Sequence, residues 1–262
     1  MITSNSNAQV RYLVQLRKNN RFRRQEGAFL VEGPKMYREI PAAKRRKTYV
    51  SESYAEQMPS EIRELVEQGD YEILKDSVME YVSDTKTPQG ILAVVSMDQY
   101  RLEDLFGETP LLLLLENLQD PGNLGTIFRS GEGAGVTGIL MTKETADVYN
   151  PKVVRSTMGA VFRVPFLYVD DLQETLRELQ KRGIRLYAAH LSESVSYDQA
   201  DFTKPSGFLI GNESAGLTAE TTAAADGRIH IPMLGSVESL NAAAAASIVA
   251  FEAARQRRNL KK

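Results

Sequence analysis

The chain has 262 residues, 42% of them hydrophobic and 25% charged, and its formal net charge is −2. This composition is typical of a globular protein that buries a core in one large domain or two smaller ones. The absence of Cys excludes disulfides, thiolate metal sites and cysteine nucleophiles. The two histidines, His190 and His230, are far apart in the sequence and lack the HExxH spacing, so no metal site is expected.

Membrane and hydrolase signals are also missing from the sequence. The longest apolar run, Leu111–Leu115, is too short to span a bilayer. Because the chain also lacks a signal peptide and Cys, we expect a cytoplasmic protein that does not bind membranes. The nucleophile elbow Gly-x-Ser-x-Gly is absent, since the stretch from Gly211 to Gly216 is too long for it.

Positive charge is concentrated near the N-terminus. Between Arg11 and Lys47 there are twelve Lys and Arg residues against three acidic ones. Such a cluster can attract phosphates although the whole chain is nearly neutral, and a solvated charged surface is the alternative interpretation. The candidate phosphate-binding residues are Arg21, Arg23, Arg24, Lys35, Arg45 and Arg46.

The N-terminal part is predicted to be a small α/β domain over residues 1–97. Residues 1–9 are polar and are expected to be disordered. Hydrophobic patterning then predicts strands at Ala28–Glu32, Thr48–Ser51, Tyr71–Leu74 and Gly90–Ser96, and helices at Pro59–Gly69 and Val78–Val82. The polar stretch 98–110 interrupts this pattern and is predicted to be a linker.

A second domain, also α/β, is predicted over residues 111–262. Its predicted strands are Leu111–Glu116, Thr137–Thr142, Arg185–His190, Gly207–Gly211 and Arg228–Ile231, and its helices are Asp120–Gly135, Asp171–Arg182 and Leu240–Arg258. Strands that alternate with helices indicate a largely parallel sheet covered on both faces.

The first segment that could carry chemistry runs from Glu116 to Arg129, out of a strand and into a helix. Leu124, Ile127 and Phe128 have helical spacing and should face the core. Arg129 falls on the other side of that helix and is free to reach a ligand or a second subunit. The alternative is that Asp120 and Asn123 are only helix caps and Arg129 only a surface charge.

Two more segments follow strands in the same way. In Gly207–Leu217 a buried strand enters a turn with glycines, an amide and a carboxylate, where glycine permits close approach to a ligand. In Ile229–Ser247 a strand, a loop and a helix follow one another, and Ser239 and Asn241 precede the helix. An ordinary turn and ordinary N-caps are the respective alternatives.

Taken together, these segments resemble the SpoU (TrmH-like) family of SPOUT RNA 2′-O-ribose methyltransferases. The motifs are DPGNLGTIFR, LIGNESAGL and IPMLGSVESLNAAAAASIVAFEAARQR, in that order. FLVEGPKMYREI and SDTKTPQGILAVV also resemble the N-terminal substrate-binding domain of the ribosomal-RNA members, an L30e-type α/β fold. Two positions depart from the family pattern: Ala243 and its neighbours replace a common Val-Ser-Val, and Ser130-Gly131 replaces Thr-Ala or Thr-Cys.

This resemblance implies a parallel sheet with a deep trefoil knot and S-adenosylmethionine as cofactor, bound in a bent form. No Gly-x-Gly-x-x-Gly fingerprint occurs, which argues independently against a Rossmann-type methyltransferase. By motif position, the implied cofactor-binding residues are Leu209, Ile210, Gly211, Ile231, Met233, Ser239 and Leu240. The implied catalytic residues are Asn123, Arg129, Glu213, Ser239 and Asn241.

The resemblance also implies a reaction and its partners. Arg129 would orient a phosphate and stabilise the developing alkoxide, and the proton would leave through phosphate, water or Glu213. Ser239 and Asn241 would hold the ribose. A homodimer is implied, in which Arg129 serves the cofactor pocket of the other subunit and the last helix forms the interface.

The implied substrate is large-subunit ribosomal RNA, because minimal tRNA enzymes of this family lack the N-terminal domain. A tRNA 2′-O-methyltransferase, an antibiotic-resistance ribosomal-RNA methyltransferase and a non-catalytic RNA-binding assembly factor are the alternatives. Cofactor binding would separate the last of these from the enzymes.

Overall fold

The computed structural model describes residues 1–260, which form two compact units. The first comprises Met1–Gln99 and Asp147–Phe162, and the second comprises Tyr100–Ala146 and the described chain from Arg163 onward. The sequence placed 147–162 with the C-terminal domain, whereas this segment packs with the N-terminal unit. A ring contact between Phe29 and Tyr149, with centroids 4.5 Å apart, is one of the interactions that hold it there.

The chain alternates short helices and strands throughout. The α-helices are α1 (Ala8–Lys18), α2 (Asn20–Glu26), α3 (Pro34–Arg38), α4 (Glu52–Gln57), α5 (Ser60–Glu67), α6 (Asp76–Val82), α7 (Pro121–Ala134), α8 (Pro151–Thr157), α9 (Leu172–Lys181), α10 (Ala219–Ala224) and α11 (Ala242–Asn259). The strands are β1 (Ala28–Glu32), β2 (Arg45–Ser51), β3 (Tyr71–Leu74), β4 (Ile91–Ser96), β5 (Leu111–Leu115), β6 (Gly138–Thr142), β7 (Phe166–Val169), β8 (Arg185–Ala189), β9 (Val195–Ser196), β10 (Ser206–Ile210) and β11 (Gly227–His230). Among residues 1–260, no helix is both long enough and apolar enough to cross a bilayer.

The first unit is built on a four-stranded mixed sheet in the order β1-β4-β2-β3. Its core includes the apolar face of α1, where Val10, Leu13 and Leu16 are fully buried. The expectation that residues 1–9 are disordered is wrong. Ile2 is 6% exposed and its backbone N–H donates to the Ile73 carbonyl, so the N-terminus extends the sheet at the edge of β3.

The second unit is built on a seven-stranded sheet in the order β7-β6-β5-β10-β8-β11-β9. Every pairing in this sheet is parallel, which confirms the prediction of a parallel sheet. All residues of β5, β6 and β10 are buried, as expected for strands with helices on both faces. The predicted core positions Leu124, Ile127 and Phe128 of α7 are each 0% exposed.

The direction of the chain changes between the adjacent strands β5 and β10. The chain leaves β5 through α7 toward β6 on one side, and it leaves β10 through α10 toward β11 on the other. Open α/β sheets bind ligands beyond the carboxyl ends of their strands, near such a change of direction. All three segments singled out in the sequence contain the residues that follow a strand of this sheet, namely β5, β10 and β11.

Candidate cofactor and active site

A cavity of about 480 Å³ lies beyond the carboxyl ends of β8, β10 and β11. Its wall consists of residues 189–192, the loop 210–217, most of 229–240 and three residues of α11 (Ala242, Ala245 and Val249). The lining mixes aliphatic side chains with hydroxyls, imidazoles and carboxylates. This size and this lining suit a small organic ligand.

The loop that follows β10 is closed by its own backbone. The Asn212 N–H donates to the Gly216 carbonyl at 3.0 Å, and the Gly216 N–H donates to the Asn212 carbonyl at 2.9 Å. A Cβ atom on Gly211 would lie 2.1 Å from the Gly216 carbonyl carbon, so only glycine fits there. Glycine at position 211 therefore lets the two ends of this loop approach each other closely at the cavity wall.

Most of the predicted cofactor-binding residues line this cavity. They are Ile210, Gly211, Ile231, Met233, Ser239 and Leu240. Leu209 does not line the cavity: its side chain is 1% exposed and packs in the core with Leu114 and Leu186, so the implied contact with the cofactor would be made by its main chain. Because successive side chains of a strand point to opposite faces, Leu209 belongs to the sheet interior and its side chain is not part of the wall.

Three of the predicted catalytic residues, Asn123, Glu213 and Asn241, form a hydrogen-bonded chain that we call the clasp. Asn123 Nδ2 donates to Glu213 Oε1 at 3.0 Å, and Asn241 Nδ2 donates to Asn123 Oδ1 at 2.8 Å. Glu213 also accepts the backbone N–H groups of Gln119 at 3.2 Å and Asp120 at 3.0 Å. The clasp thus joins the loop after β10 to the starts of α7 and α11.

The caps of both helices are part of this arrangement. Asp120 Oδ1 accepts the Asn123 N–H at 2.7 Å, and Asn241 Oδ1 accepts the Ala243 N–H at 2.9 Å. The cap interpretation is therefore correct for Asp120 and Asn241. It does not exclude a role in the site, because the same Asn241 amide also donates to Asn123.

The other two predicted catalytic residues lie outside the clasp. Ser239 is exposed and lines the cavity. Arg129 is exposed on α7 and does not line the cavity of its own chain. Within residues 1–260, no group accepts a hydrogen bond from its guanidinium. The structure therefore brings Asn123, Glu213 and Asn241 together and leaves Arg129 apart from them.

The environment of Glu213 favours the charged carboxylate. Partial burial raises the pKa of Glu213. Hydrogen bonds from the Asn123 amide and from backbone N–H groups together lower this pKa by more than burial raises it. The net pKa therefore lies below its ordinary value. A carboxylate of this kind is a poor proton acceptor at neutral pH and a good anchor for N–H donors.

Sequence reasoning missed two polar residues that shape the loop. Asn212 Nδ2 donates to the Asn117 carbonyl at 2.8 Å, and its Oδ1 accepts the Ser214 and Ala215 N–H groups. Glu116, directly after β5, is 7% exposed and bonds to the end of the same loop. A carboxylate that follows five buried leucines was the available signal, since charge is rarely buried without a purpose. The wall residues 189–192 were also missed.

One residue of the predicted phosphate-binding set, Arg23, is a correction. It is 3% exposed, forms a salt bridge with Asp147 and donates to the Leu16 carbonyl at 2.8 Å. Its guanidinium is therefore buried and hydrogen-bonded inside the first unit, and it cannot reach RNA.

The other members of the set are at the surface or partly engaged. Arg21, Arg24 and Lys35 are exposed. Arg45 is half-buried, and its Nη1 donates to the Leu65 carbonyl at 2.7 Å. Arg46 donates to the Glu26 and Gly27 carbonyls. Arg21, Arg24 and Lys35 can therefore reach phosphates from the surface.

Comparison with protein-family models supports the motif assignment. Residues 110–251 match the SpoU rRNA Methylase family, and residues 7–93 match an MRM3-like substrate binding domain. The chain belongs to the SpoU rRNA methylase family. The resemblance inferred from the motifs is thereby confirmed for both parts of the chain.

Relatives of similar length exist among known proteins. An uncharacterized tRNA/rRNA methyltransferase of Synechocystis is 32% identical over 97% of this chain and 93% of its own length. The 23S rRNA (guanosine(2553)-2′-O)-methyltransferase RlmP of Bacillus subtilis is 32% identical over 68% of this chain and 70% of its own.

Solved structures show the same fold. The SpoU methyltransferase AviRb of Streptomyces viridochromogenes, in complex with the cofactor AdoMet, matches with a TM-score of 0.87 and 30% identity, over 96% of this chain and 98% of that one. A TrmH/SpoU tRNA modifying enzyme of A. aeolicus matches with a TM-score of 0.52 and 29% identity, over 59% of this chain and 78% of that one.

The low pKa of Glu213 predicts a defined pH dependence. A carboxyl group whose pKa falls on folding stabilises the fold above its ordinary pKa of about 4.3, and this contribution is lost as the pH falls through the lower, folded value. We expect Glu213→Gln to lower the free energy of unfolding by about 1 kcal/mol, less than the roughly 1.5–3 kcal/mol of a hydrogen bond to a charged group, because Glu213 is exposed and solvent screens its charge. The deficit should be constant between about pH 5.5 and 8 and shrink below about pH 4.3.

Unfolding by urea, followed by circular dichroism across this pH range, measures the deficit. Glu220→Gln is the control. Glu220 is an exposed carboxylate of the same unit, and within residues 1–260 its side chain accepts no hydrogen bond. An equal deficit in both variants, or one that grows as the pH falls, would contradict the anchoring role of Glu213.

Proposed function

We propose that this protein transfers a methyl group from S-adenosylmethionine to a ribose 2′-hydroxyl of large-subunit ribosomal RNA. The observation that carries the proposal is the cavity of about 480 Å³, which is lined by the second and third family motifs and joined to the first motif through the clasp. A cavity beyond the carboxyl ends of the strands of a parallel sheet is a typical position for a cofactor.

The residues present fit the cofactor. Ile210, Ile231, Met233 and Leu240 offer apolar surface for an adenine ring and a methylene chain, and Gly211 permits close approach of backbone. Ser239 offers a hydroxyl for polar groups of the ligand. When bound, S-adenosylmethionine supplies an electrophilic methyl group on a sulfonium ion.

The proposal includes the trefoil knot of the family. It would involve the loop 211–217 and the segment 231–241, which follow β10 and β11, the two neighbours of β8 in the sheet, and meet at the clasp. It also includes the division into an RNA-binding domain, 1–97, a linker, 98–110, and a methyltransferase domain, 111–262, with the segment 147–162 packed on the first.

Arg129 is proposed to act on the RNA. A guanidinium keeps its proton at neutral pH and cannot serve as a base, but it can orient a 3′-phosphate and stabilise the developing alkoxide. The three hydrogen bonds to Glu213 and its lowered pKa argue against Glu213 as the proton acceptor. The proton of the 2′-hydroxyl would then leave through phosphate or water.

Asn241 and Ser239 are proposed to hold the ribose. Ser239 is exposed at the cavity wall, so its hydroxyl can reach a sugar. Asn241 uses one amide N–H for Asn123, and its second N–H can point to a ribose oxygen. Alignment of the reacting groups by such contacts can supply roughly 7–11 kcal/mol of rate enhancement.

A homodimer completes the proposed site. Because Arg129 does not line the cavity of its own chain, a two-fold arrangement would bring it to the cavity of a second copy. The exposed face shared by α7 and α11 supports this arrangement. Phe251 is 48% exposed there and lies against Gly133, where a Cβ atom would be 3.5 Å from the ring.

Ribosomal RNA is the proposed substrate because the family model over residues 110–251 and the relative RlmP are both named for rRNA. The tRNA modifying enzyme covers only 59% of this chain. The first unit would bind the RNA through phosphates and shape, with Arg21, Arg24 and Lys35 exposed for that purpose. The proposal includes a cytoplasmic location, with which the absence of Cys is consistent.

Removal of the Arg129 guanidinium should separate cofactor binding from catalysis. We expect Arg129→Ala to bind S-adenosylmethionine as the wild type does and to lose at least about 100-fold in methyl transfer, the usual loss when one transition-state donor is removed. Transfer of a labelled methyl group to 23S ribosomal RNA measures the rate, and calorimetry measures binding. Arg177→Ala, which removes another exposed arginine of the second unit, is the control.

Mixed dimers test whether Arg129 acts on the other subunit. Arg129→Ala and Gly211→Ala chains, each inactive alone, should regain activity when refolded together, because one of the two sites then holds an intact cavity and an intact Arg129. Full activity of Arg129→Ala, or no recovery in the mixture, would remove this role of Arg129 from the account.

RNA binding by the first unit should depend on salt. Each phosphate contact contributes about 0.7–0.9 to the slope of the logarithm of the association constant against the logarithm of salt concentration. We therefore expect Arg21→Ala and Arg24→Ala each to reduce that slope by about one contact, while Arg177→Ala leaves it unchanged. Filter binding of 23S ribosomal RNA between about 50 and 200 mM salt measures it. A slope equal to that of the wild type in both variants would exclude these phosphate contacts.

A further inference from the structure

We infer that Glu116 is a positioning residue that sets the end of the loop 211–217, and with it the shape of the cofactor cavity. This inference rests on the proposed function. Glu116 does not line the cavity and belongs to none of the predicted cofactor or catalytic positions. Its effect would pass to the cofactor through Thr218.

The Glu116 carboxylate is buried, and both of its oxygens accept hydrogen bonds from the segment that follows the loop. Oε2 accepts the Thr218 N–H at 2.9 Å, while Oε1 accepts the hydroxyls of Thr218 and Thr221, both at 2.8 Å. Glu116 is 7% exposed and Thr221 is 0% exposed. Within residues 1–260, no Lys, Arg or His forms an ion pair with Glu116, so neutral donors alone balance its charge.

These donors explain why the residue is an acid. Two carboxylate oxygens can accept all three donors at once, whereas a glutamine offers a single oxygen and turns N–H groups toward another donor. An apolar residue would leave the buried Thr221 hydroxyl and the two donors of Thr218 without this acceptor, which is costly for the buried group. A buried charge is also costly unless it is hydrogen-bonded, so this position is matched to its three partners.

The contacts of Glu116 complete a three-point attachment of the cavity loop. The start of the loop is held by Asn212, which donates to the Asn117 carbonyl, and its apex is held by Glu213. Its end, Leu217, is followed directly by Thr218, the N-cap of α10. Residues 116–120 therefore hold the loop at its start, apex and end, and Glu116 provides the attachment at the end.

This position predicts a particular kinetic signature. When the end of the loop is released, Ile210, Gly211 and Leu217 no longer present one fixed wall, so the cofactor should bind more weakly. The clasp and Arg129 remain, so turnover with saturating cofactor should be largely retained. A residue that acts in the chemical step would show the opposite, a lower kcat with little change in cofactor affinity.

The test compares Glu116→Gln with Glu252→Gln. Glu252 is a second buried carboxylate of the same unit, 9% exposed, held by Arg255 and Gln256 and absent from the cavity wall. We expect Glu116→Gln to raise the dissociation constant for S-adenosylmethionine and S-adenosylhomocysteine about 10-fold by calorimetry, and to change kcat at saturating cofactor less than about 3-fold. Glu252→Gln should leave both unchanged.

A second variant keeps the test valid if Glu116→Gln unfolds. Thr221→Val removes one hydroxyl donor without a change of shape and should raise the dissociation constant by a smaller factor. In the double variant the two effects should be less than multiplicative, because both pass through the same contact. Glu116→Asp should fall between the wild type and Glu116→Gln.

The outcomes separate the inference from the proposed function. Absence of cofactor binding by the wild type would overturn both. If the wild type binds, then unchanged affinity in Glu116→Gln and Thr221→Val would overturn the positioning role alone. A loss of kcat at saturating cofactor with unchanged affinity would do the same.

Discussion

The carboxylate of Glu213 accepts hydrogen bonds from three N–H donors at the start of α7, and the rest of the site depends on these bonds. Because β5 and β10 are adjacent and their connections diverge, nothing in the sheet itself would keep the loops beyond them together. A negative charge beside the first N–H groups of a helix is favourable, which strengthens the attachment. Through Asn123 and Asn241 the same contact reaches the start of α11. The start of α7 is thereby joined to the loop 211–217 and to the start of α11, and the last two line the cavity.

This constraint divides the polar residues of the motifs into two groups. Most hydrogen bonds of Asn123, Glu213 and Asn241 join these residues to one another and to the first turns of helices. Their main contribution is therefore to hold the three segments in position. Arg129 and Ser239 are exposed and remain available to a substrate. Motif matching alone places all five in one catalytic set. The division comes from the hydrogen bonds: in the proposed function Arg129 contacts the phosphate and Ser239 the ribose, and Asn241 adds the one amide N–H that Asn123 does not use.

Local sequence patterns predicted much of the fold. The features that the sequence did not predict depend on contacts between residues that are far apart in the sequence. The run Leu111–Leu115 and the helical spacing of Leu124 and Ile127 were sufficient to predict a buried strand and the inner face of α7. No local pattern could show that Arg23 is buried against Asp147, or that Ile2 joins the edge of a strand formed by residues 71–74. In the site, the cavity positions followed from the motifs, whereas the contacts that shape the loop depend on partners far along the chain.

Hydrogen–deuterium exchange with and without S-adenosylmethionine tests the central claim most directly, because it reports on every backbone N–H of the three segments at once. The account predicts that the cofactor slows exchange in residues 116–123, 211–217 and 231–241 together, while the sheet of the first unit is unaffected. Slower exchange in only one of these segments, or no change in any of them, would contradict a single cofactor site held together by Glu213.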